Sequence, residues 1–218
     1  MTPDTWNAVD QYVSDLLIPQ DPALEAAQQA SHAAGLPAIS ISAAQGKLLH
    51  LIARIRGARR VLEIGTLGGY STIWLARGLA PGGRVITLEF DPTYADVARG
   101  NIANAGLSGV VEIRVGRAID ALPALAHEDP FDLIFIDADK AGTADYFTWA
   151  LRLSNPGAVI IVDNVVRDGR VIDAAGDDDV QGMRRFLEVL AAEARVSATV
   201  IQTVGVKGYD GFAIAVVD

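Results

Sequence analysis

Cysteine is absent from this 218-residue chain. That excludes disulfides, thiolate metal sites and cysteine nucleophiles, and it agrees with a cytoplasmic protein. No apolar run is long enough to cross a bilayer. The start, MTPDTWNAVD, is polar and acidic and lacks the basic stretch and short apolar segment of a secretory signal. Basic residues are outnumbered, with 18 Lys and Arg against 27 Asp and Glu, leaving a formal net charge of −9. Such a balance repels a phosphate backbone, so nucleic acid is not an expected partner and a small or cationic ligand fits better. Repeats, low-complexity segments and Pro/Gly/Ser linkers are missing as well, so residues 1–218 are read as one domain. Histidine is scarce: His32, His50 and His127 lie on separate predicted segments without ligand spacing and are assigned to packing or surface. Trp6, Trp74 and Trp149 fall on predicted helices and are read as core or interface.

What the chain does have is hydrophobic residues, 50% of the total, enough for an ample core. Thr2-Pro3 and Asp21-Pro22 each read as an N-cap followed by proline at the first helical position, giving helices over Pro3–Leu17 and Pro22–Ala34. A third helix opens with the capping box Ser42/Gln45 and ends at Gly57, with Leu48, Leu51, Ile52 and Ile55 at helical spacing. From Arg60 onward strands and helices alternate. Continuous apolar, β-branched runs predict strands at Val61–Ile64, Val85–Leu88, Val111–Val115, Leu133–Ile136 and Val159–Val162, as in a parallel sheet covered on both faces. Helices are predicted at Thr72–Leu79, Pro92–Ala105, Ala118–Ala126, Ala144–Leu153 and Val180–Ala194, the last capped from the acidic run Asp177–Asp179. Two final strands, Ala198–Val204 and Phe212–Val217, flank the turn-rich GVKGYDG as a hairpin. The fold class is therefore α/β, an open sheet with an antiparallel finish.

In such sheets ligands bind beyond the carboxyl ends of the strands. Four strand ends carry acidic or amide residues: Glu63, Glu89, Asp137 with Asp139, and Asp163 with Asn164. Gly65, Gly68 and Gly69 let the chain turn tightly and a ligand approach the backbone. Their Gly-x-x-Gly-Gly spacing is not the dinucleotide fingerprint, and Glu63 would repel a pyrophosphate, which argues against an NAD-dependent dehydrogenase. A cationic cofactor is favoured instead. Glu89 stands where nucleoside cofactors of this architecture find a carboxylate for the ribose hydroxyls.

The segments ISAAQG, LEIGTLGGYST, TLEFD, FDLIFIDADK with Tyr146 downstream, and VDN occur in order. Together they resemble the cation-dependent O-methyltransferases that use S-adenosylmethionine (SAM), typified by caffeoyl-CoA and catechol O-methyltransferases. The resemblance runs from about Ile41 to the C-terminus. It implies a Rossmann-like sheet of seven strands, a homodimer, and N-terminal helices, about residues 1–57, that cover the site or form the dimer surface. By position, Asp137, Asp163 and Asn164 match the family's metal ligands, and three oxygen donors suit Mg²⁺, Mn²⁺ or Ca²⁺ rather than zinc. Lys140 matches the proposed general base, beside Asp137. The cofactor positions matched are Ile41, Glu63, Gly65, Thr66, Ser71, Glu89, Ala118, Asp139 and Tyr146. Ile41 departs from the threonine of plant members, so any contact there runs through the backbone.

The implied reaction is methyl transfer from SAM to a hydroxyl of a catechol-like or other vicinal-diol aromatic. A phenolic hydroxyl of pKa about 10 is a poor nucleophile at neutral pH, and a divalent cation lowers that value. Val165–Gly176, just after VDN, is the expected acceptor-facing loop. A natural-product intermediate or a CoA ester remains an alternative acceptor. A non-catalytic SAM-binding protein is the rival of another class, although such a binder needs neither a metal triad nor a base.

Overall fold

The computed structural model describes residues 2–218. Three helices come first, α1 (Pro3–Leu17), α2 (Pro22–Ala33) and α3 (Ala43–Arg56). Their boundaries follow from local chemistry. The Asp21 carboxylate accepts from the Ala23 and Leu24 amides, Ser42 and Gln45 cap reciprocally, and Gly57 closes α3 in the left-handed conformation at φ 66°. Thr2 stands at the N-cap of α1 as expected, but its side chain does not cap; its carbonyl accepts from Thr5 and Trp6 instead. No residue of α1 is buried, and Val9, Tyr12, Leu16 and Leu17 are exposed on it.

The α/β part follows in the order β1 (Arg60–Ile64), α4 (Tyr70–Arg77), β2 (Arg84–Glu89), α5 (Pro92–Asn104), β3 (Val111–Val115), α6 (Ala118–Leu125) and β4 (Phe131–Ile136). It continues with α7 (Thr143–Leu153), β5 (Ser154–Asp163), α8 (Asp178–Ala192), β6 (Val196–Gly205) and β7 (Gly208–Val217). The seven strands form one sheet in the order β3-β2-β1-β4-β5-β7-β6, with β7 antiparallel to both neighbours. The expected sheet and its antiparallel finish are therefore present. The hairpin is tighter than GVKGYDG suggests, because pairing continues to Gly205 opposite Gly208 and leaves Val206 and Lys207 as the turn. Tyr209, Asp210 and Gly211 are strand residues as a result. Helix α8 begins at Asp178, since the Asp177 carboxylate caps it through the Val180 amide.

Alternation along β1 sends Leu62 and Ile64 to the layer of α6, α7 and α8, where Phe147 and Phe186 pack edge to face. It sends Val61 to the layer of α2, α3, α4 and α5. Trp74 lies in that second core beside His50, away from the carboxyl ends of the strands. The chain reverses direction across the sheet between β1 and β4, the topological switch at which open α/β sheets leave a crevice. No helix among the described residues is long and apolar enough to cross a membrane.

Candidate functional site

The crevice is a cavity of about 720 Å³, within the usual range for small-ligand sites. Its wall contains Ile41, Gly65, Thr66, Ser71, Glu89, Ala118, Asp137, Asp139, Lys140, Tyr146 and Asn164. The structure therefore brings together most of the residues singled out in the sequence. Two of them, Glu63 and Asp163, lie behind the wall rather than on it. A second cavity of about 250 Å³ adjoins at Asn164 and Ile41 and has Asp163 on its own wall.

The first wall segment is the turn between β1 and α4. Gly65 (φ 101°) has no room for a side chain, because a Cβ would collide with the Asp137 carbonyl. Glycine here lets β1 and β4 bring their loops together. Glu63 points to the α4 side, fully buried, where it accepts hydroxyl hydrogen bonds from Ser71 at 2.6 Å, from Thr87 at 2.7 Å and from Thr72. Burial pushes its carboxyl from 4.5 up to about 7, against the lowering effect of the three hydroxyls and with help from Asp137. Glu63 thus fixes the Ser71 side chain, whose oxygen keeps lone pairs for a ligand.

A carboxyl whose folded value is raised stabilises the protein most below its ordinary value, and that stability is lost as pH rises through about 7. Shifted from 4.5 to about 7, Glu63 alone makes folding roughly 3 kcal/mol less favourable at alkaline pH than at pH 4. We expect the Tm to fall between pH 5 and 8, and Glu63→Gln to flatten that slope. An unchanged slope in the glutamine variant, read by calorimetry, would assign the effect elsewhere.

Glu89 ends β2 and holds the same turn from the other side. Its Oε2 accepts from the Thr66 and Leu67 amides at 3.1 and 2.8 Å, and its Oε1 from the Asp91 amide at 2.9 Å. A carboxylate offers about four acceptor positions, so one remains, on Oε1. At the opposite wall Ala118 opens α6, where a first-turn amide has no intrahelical acceptor. Asp139 accepts from the Tyr146 hydroxyl at 2.5 Å and from the Gly142 amide at 2.9 Å. Burial first, and then the hydrogen bond to Asp139, raise the Tyr146 phenol above its ordinary range.

The β4–β5 register pairs Ile136 with Val162, so Asp137 and Asp163 stand side by side as the next residues. Asp163 is 5% exposed, and its carboxyl is pushed up to about 7 by burial and then by the charge of Asp137. Lys140 Nζ lies 2.8 Å from Asp137 Oδ1 as an ion pair. Asn164 follows in the left-handed conformation at φ 59°, and its amide donates to Asp163 Oδ1 at 2.8 Å. Two opposed carboxylates and an amide fit a hard divalent cation, whose charge would relieve their repulsion. Among the described residues no group of three His, Cys, Asp or Glu side chains could hold a metal, so the Asn164 oxygen would have to complete the donor set.

Several residues shape this region without having been legible in the sequence. Gly182 of α8 meets the Lys140 carbonyl where a Cβ would not fit, which allows α8 to pack on the Lys140 turn. Thr87 and Thr72 complete the shell of Glu63. Asp210 Oδ1 accepts from the Val166, Arg167 and Gly211 amides at 3.1, 2.9 and 2.9 Å, tying the chain after Asn164 to β7. Only the pairing of distant strands reveals these roles. A buried hydroxyl or an aspartate in a hairpin carries no such signal by itself.

Comparison with known proteins agrees with this architecture. A family model described as O-methyltransferase matches residues 17–214. A catechol O-methyltransferase of Niastella koreensis is 54% identical over all of both chains. Among solved structures, the O-methyltransferase from Bacillus cereus in complex with SAH is 60% identical with a TM-score of 0.98, covering 100% of both chains. The O-methyltransferase TomG from Streptomyces achromogenes, involved in tomaymycin synthesis and solved with SAM, is 55% identical with a TM-score of 0.96, covering 100% of this chain and 99% of that one. With its fold and nearly its whole length shared in this way, the chain belongs to the O-methyltransferase family.

Proposed function

We propose that this protein transfers the methyl group of SAM to one hydroxyl of a catechol-like, vicinal-diol aromatic with the help of a divalent cation. The observation that carries the reading is that Glu89, Asp139, Asp137, Lys140 and Asn164 share one cavity wall, with Asp163 beside Asp137. The likeness to a catechol O-methyltransferase and to structures solved with SAH and SAM supports it.

In this reading the free lone pair of Glu89 accepts from the ribose, the Ala118 amide faces the adenine, and Asp139, oriented by Tyr146, meets the methionyl amino group. Thr66, Gly65 and Ser71 hold the methionyl end, and Ile41 closes over it through its backbone. Asp137, Asp163 and Asn164 would hold Mg²⁺ or Mn²⁺, which when bound supplies Lewis acidity that favours ionisation of a diol hydroxyl. Lys140 lies next to Asp137 as an ion pair; it would serve as base in its neutral amine form, after its ammonium has given one proton to solvent, and on taking the hydroxyl proton it returns to the ammonium. Holding oxygen, methyl carbon and sulfur in line supplies the rest; such alignment is worth roughly 7–11 kcal/mol in well-oriented systems. The apolar face of α1, with Val9, Tyr12, Leu16 and Leu17 exposed, supports a homodimer, for which the mass in solution is the check.

The test is transfer of label from SAM to catechol with Mg²⁺ and with a chelator. We expect chelation to lower the rate by about a hundredfold or more, the scale of several kcal/mol of transition-state stabilisation. Turnover indifferent to chelation would remove the cation from this reading, and no transfer to any diol would remove the acceptor class.

A further inference from the structure

Arg167 is held with unusual care. It is one of three non-glycine residues after β5 with left-handed backbone, at φ 57°, between Asn164 at 59° and Asp168 at 56°. Side chains disfavour that region, so something must hold the segment there. The hold is visible: Asp210 Oδ1 takes the Arg167 amide at 2.9 Å and the Val166 amide at 3.1 Å, while Asp168 donates to the Tyr209 carbonyl at 3.1 Å. Val165 and Val166 are buried beneath. The loop is thus fixed to the edge of the site rather than free to swing.

The side chain so placed is a guanidinium on the wall of the larger cavity, together with Asp137, Lys140 and Asn164. One of its nitrogens, Nη2, is paired with Asp179 at 2.8 Å. Its Nε is buried and has no acceptor among the described residues, so a ligand in the cavity would meet the outer nitrogens of the fork. Pairing with Asp179 takes one nitrogen of the planar fork, and Arg167 itself lines the cavity. The other cations on the wall differ: Lys140 is paired with Asp137, and Arg117 lies at the start of α6, on the side assigned to the adenine.

We propose that Arg167 is a specificity-determining residue that receives a carboxylate carried by the acceptor. This rests on the methyl-transfer reading above and narrows its substrate to catechols bearing an acid group. Arg167 is three positions after Asn164, at most about 10 Å along the chain, a span that a single aromatic ring with a carboxylate bridges. With the diol oxygens at the Asp137–Asn164 end, the acid group faces the guanidinium. Arginine suits that partner because its planar fork matches a carboxylate and it stays charged throughout the working pH range. Asp210 is then a positioning residue, aiming the loop that carries Arg167.

The experiment measures kcat and KM for protocatechuate, catechol and dopamine as acceptors, with Mg²⁺ and saturating SAM, for the unaltered chain and for Arg167→Gln. The wild-type protein is expected to show its lowest KM with protocatechuate and its highest with dopamine. In Arg167→Gln the ratio of kcat/KM for protocatechuate to that for catechol is expected to fall about tenfold or more, the scale of a lost charge-assisted hydrogen bond. A merely structural role would lower both acceptors together and leave the ratio fixed, which overturns the assignment. Equal KM values for the anionic and cationic acceptors in the wild type overturn it without any variant. A constant ratio with weakened binding of S-adenosylhomocysteine, read by calorimetry, overturns it in favour of the cofactor's own carboxylate. Absence of transfer to all three acceptors overturns the parent reading and this one with it, whereas transfer without charge discrimination overturns this one alone.

Discussion

Asp163→Ala is expected to abolish cation-dependent methyl transfer, lowering kcat by roughly 10²- to 10³-fold, while leaving affinity for S-adenosylhomocysteine within a few-fold of wild type. The reason lies in where the side chain is. Asp163 ends β5 next to Asp137, and it lies behind the wall of the larger cavity rather than on it. Among the described residues its carboxylate accepts only from the Asn164 amide, at 2.8 Å. Alanine therefore removes a hard oxygen donor and leaves Glu89, Asp139 and Ser71, the groups proposed for the cofactor, untouched. Steady-state kinetics with Mg²⁺ and calorimetric titration with S-adenosylhomocysteine separate the two effects. Loss of cofactor affinity in step with kcat would mean that Asp163 supports the whole crevice, and retained activity would remove it from the cation site.

Glu89→Ala should do the opposite, weakening SAM binding by about 10- to 100-fold, the range for a hydrogen bond to a charged group. Binding of Mn²⁺, followed by electron paramagnetic resonance, should remain close to wild type. The carboxylate has two tasks here. Three of its acceptor positions hold the Thr66, Leu67 and Asp91 amides, and the one left on Oε1 is the position proposed for the ribose. Glu89→Gln, which keeps one oxygen as an acceptor, should fall between wild type and alanine. If the glutamine variant binds as poorly as alanine, the carboxylate acts through its charge rather than by holding the turn. If Mn²⁺ binding falls equally in either variant, the division of roles between the two ends of the cavity fails.

Much of this arrangement was legible in the chain because it is written in local terms. The run Phe131–Lys140 shows it well. Its apolar part must be buried as strand, and the charges that follow must leave the core. Strand ends in an open α/β sheet converge on one rim, so Asp137, Asp163, Asn164 and Glu89 were expected there and the crevice collects them or has them just behind its wall. Caps at Asp21, Ser42 and Asp177 are likewise short-range chemistry, and their side chains cap as expected. Thr2 shows the limit of that logic, since a suitable residue at a helix start need not use its side chain.

By itself, then, the sequence determined the alternation of strand and helix, the antiparallel finish and the identity of the polar residues at the strand ends, because each depends on neighbours within a few positions. The tertiary structure alone decided which of them face a ligand. Glu63 turns inward, Asp163 faces the adjoining smaller cavity, and Glu89 serves loop and larger cavity at once. Residues 44 positions apart, Asp210 and Val166, meet because β7 returns beside β5. That contact, and the aim of Arg167 that follows from it, belongs to strand pairing across the sheet, which no local pattern of side chains encodes.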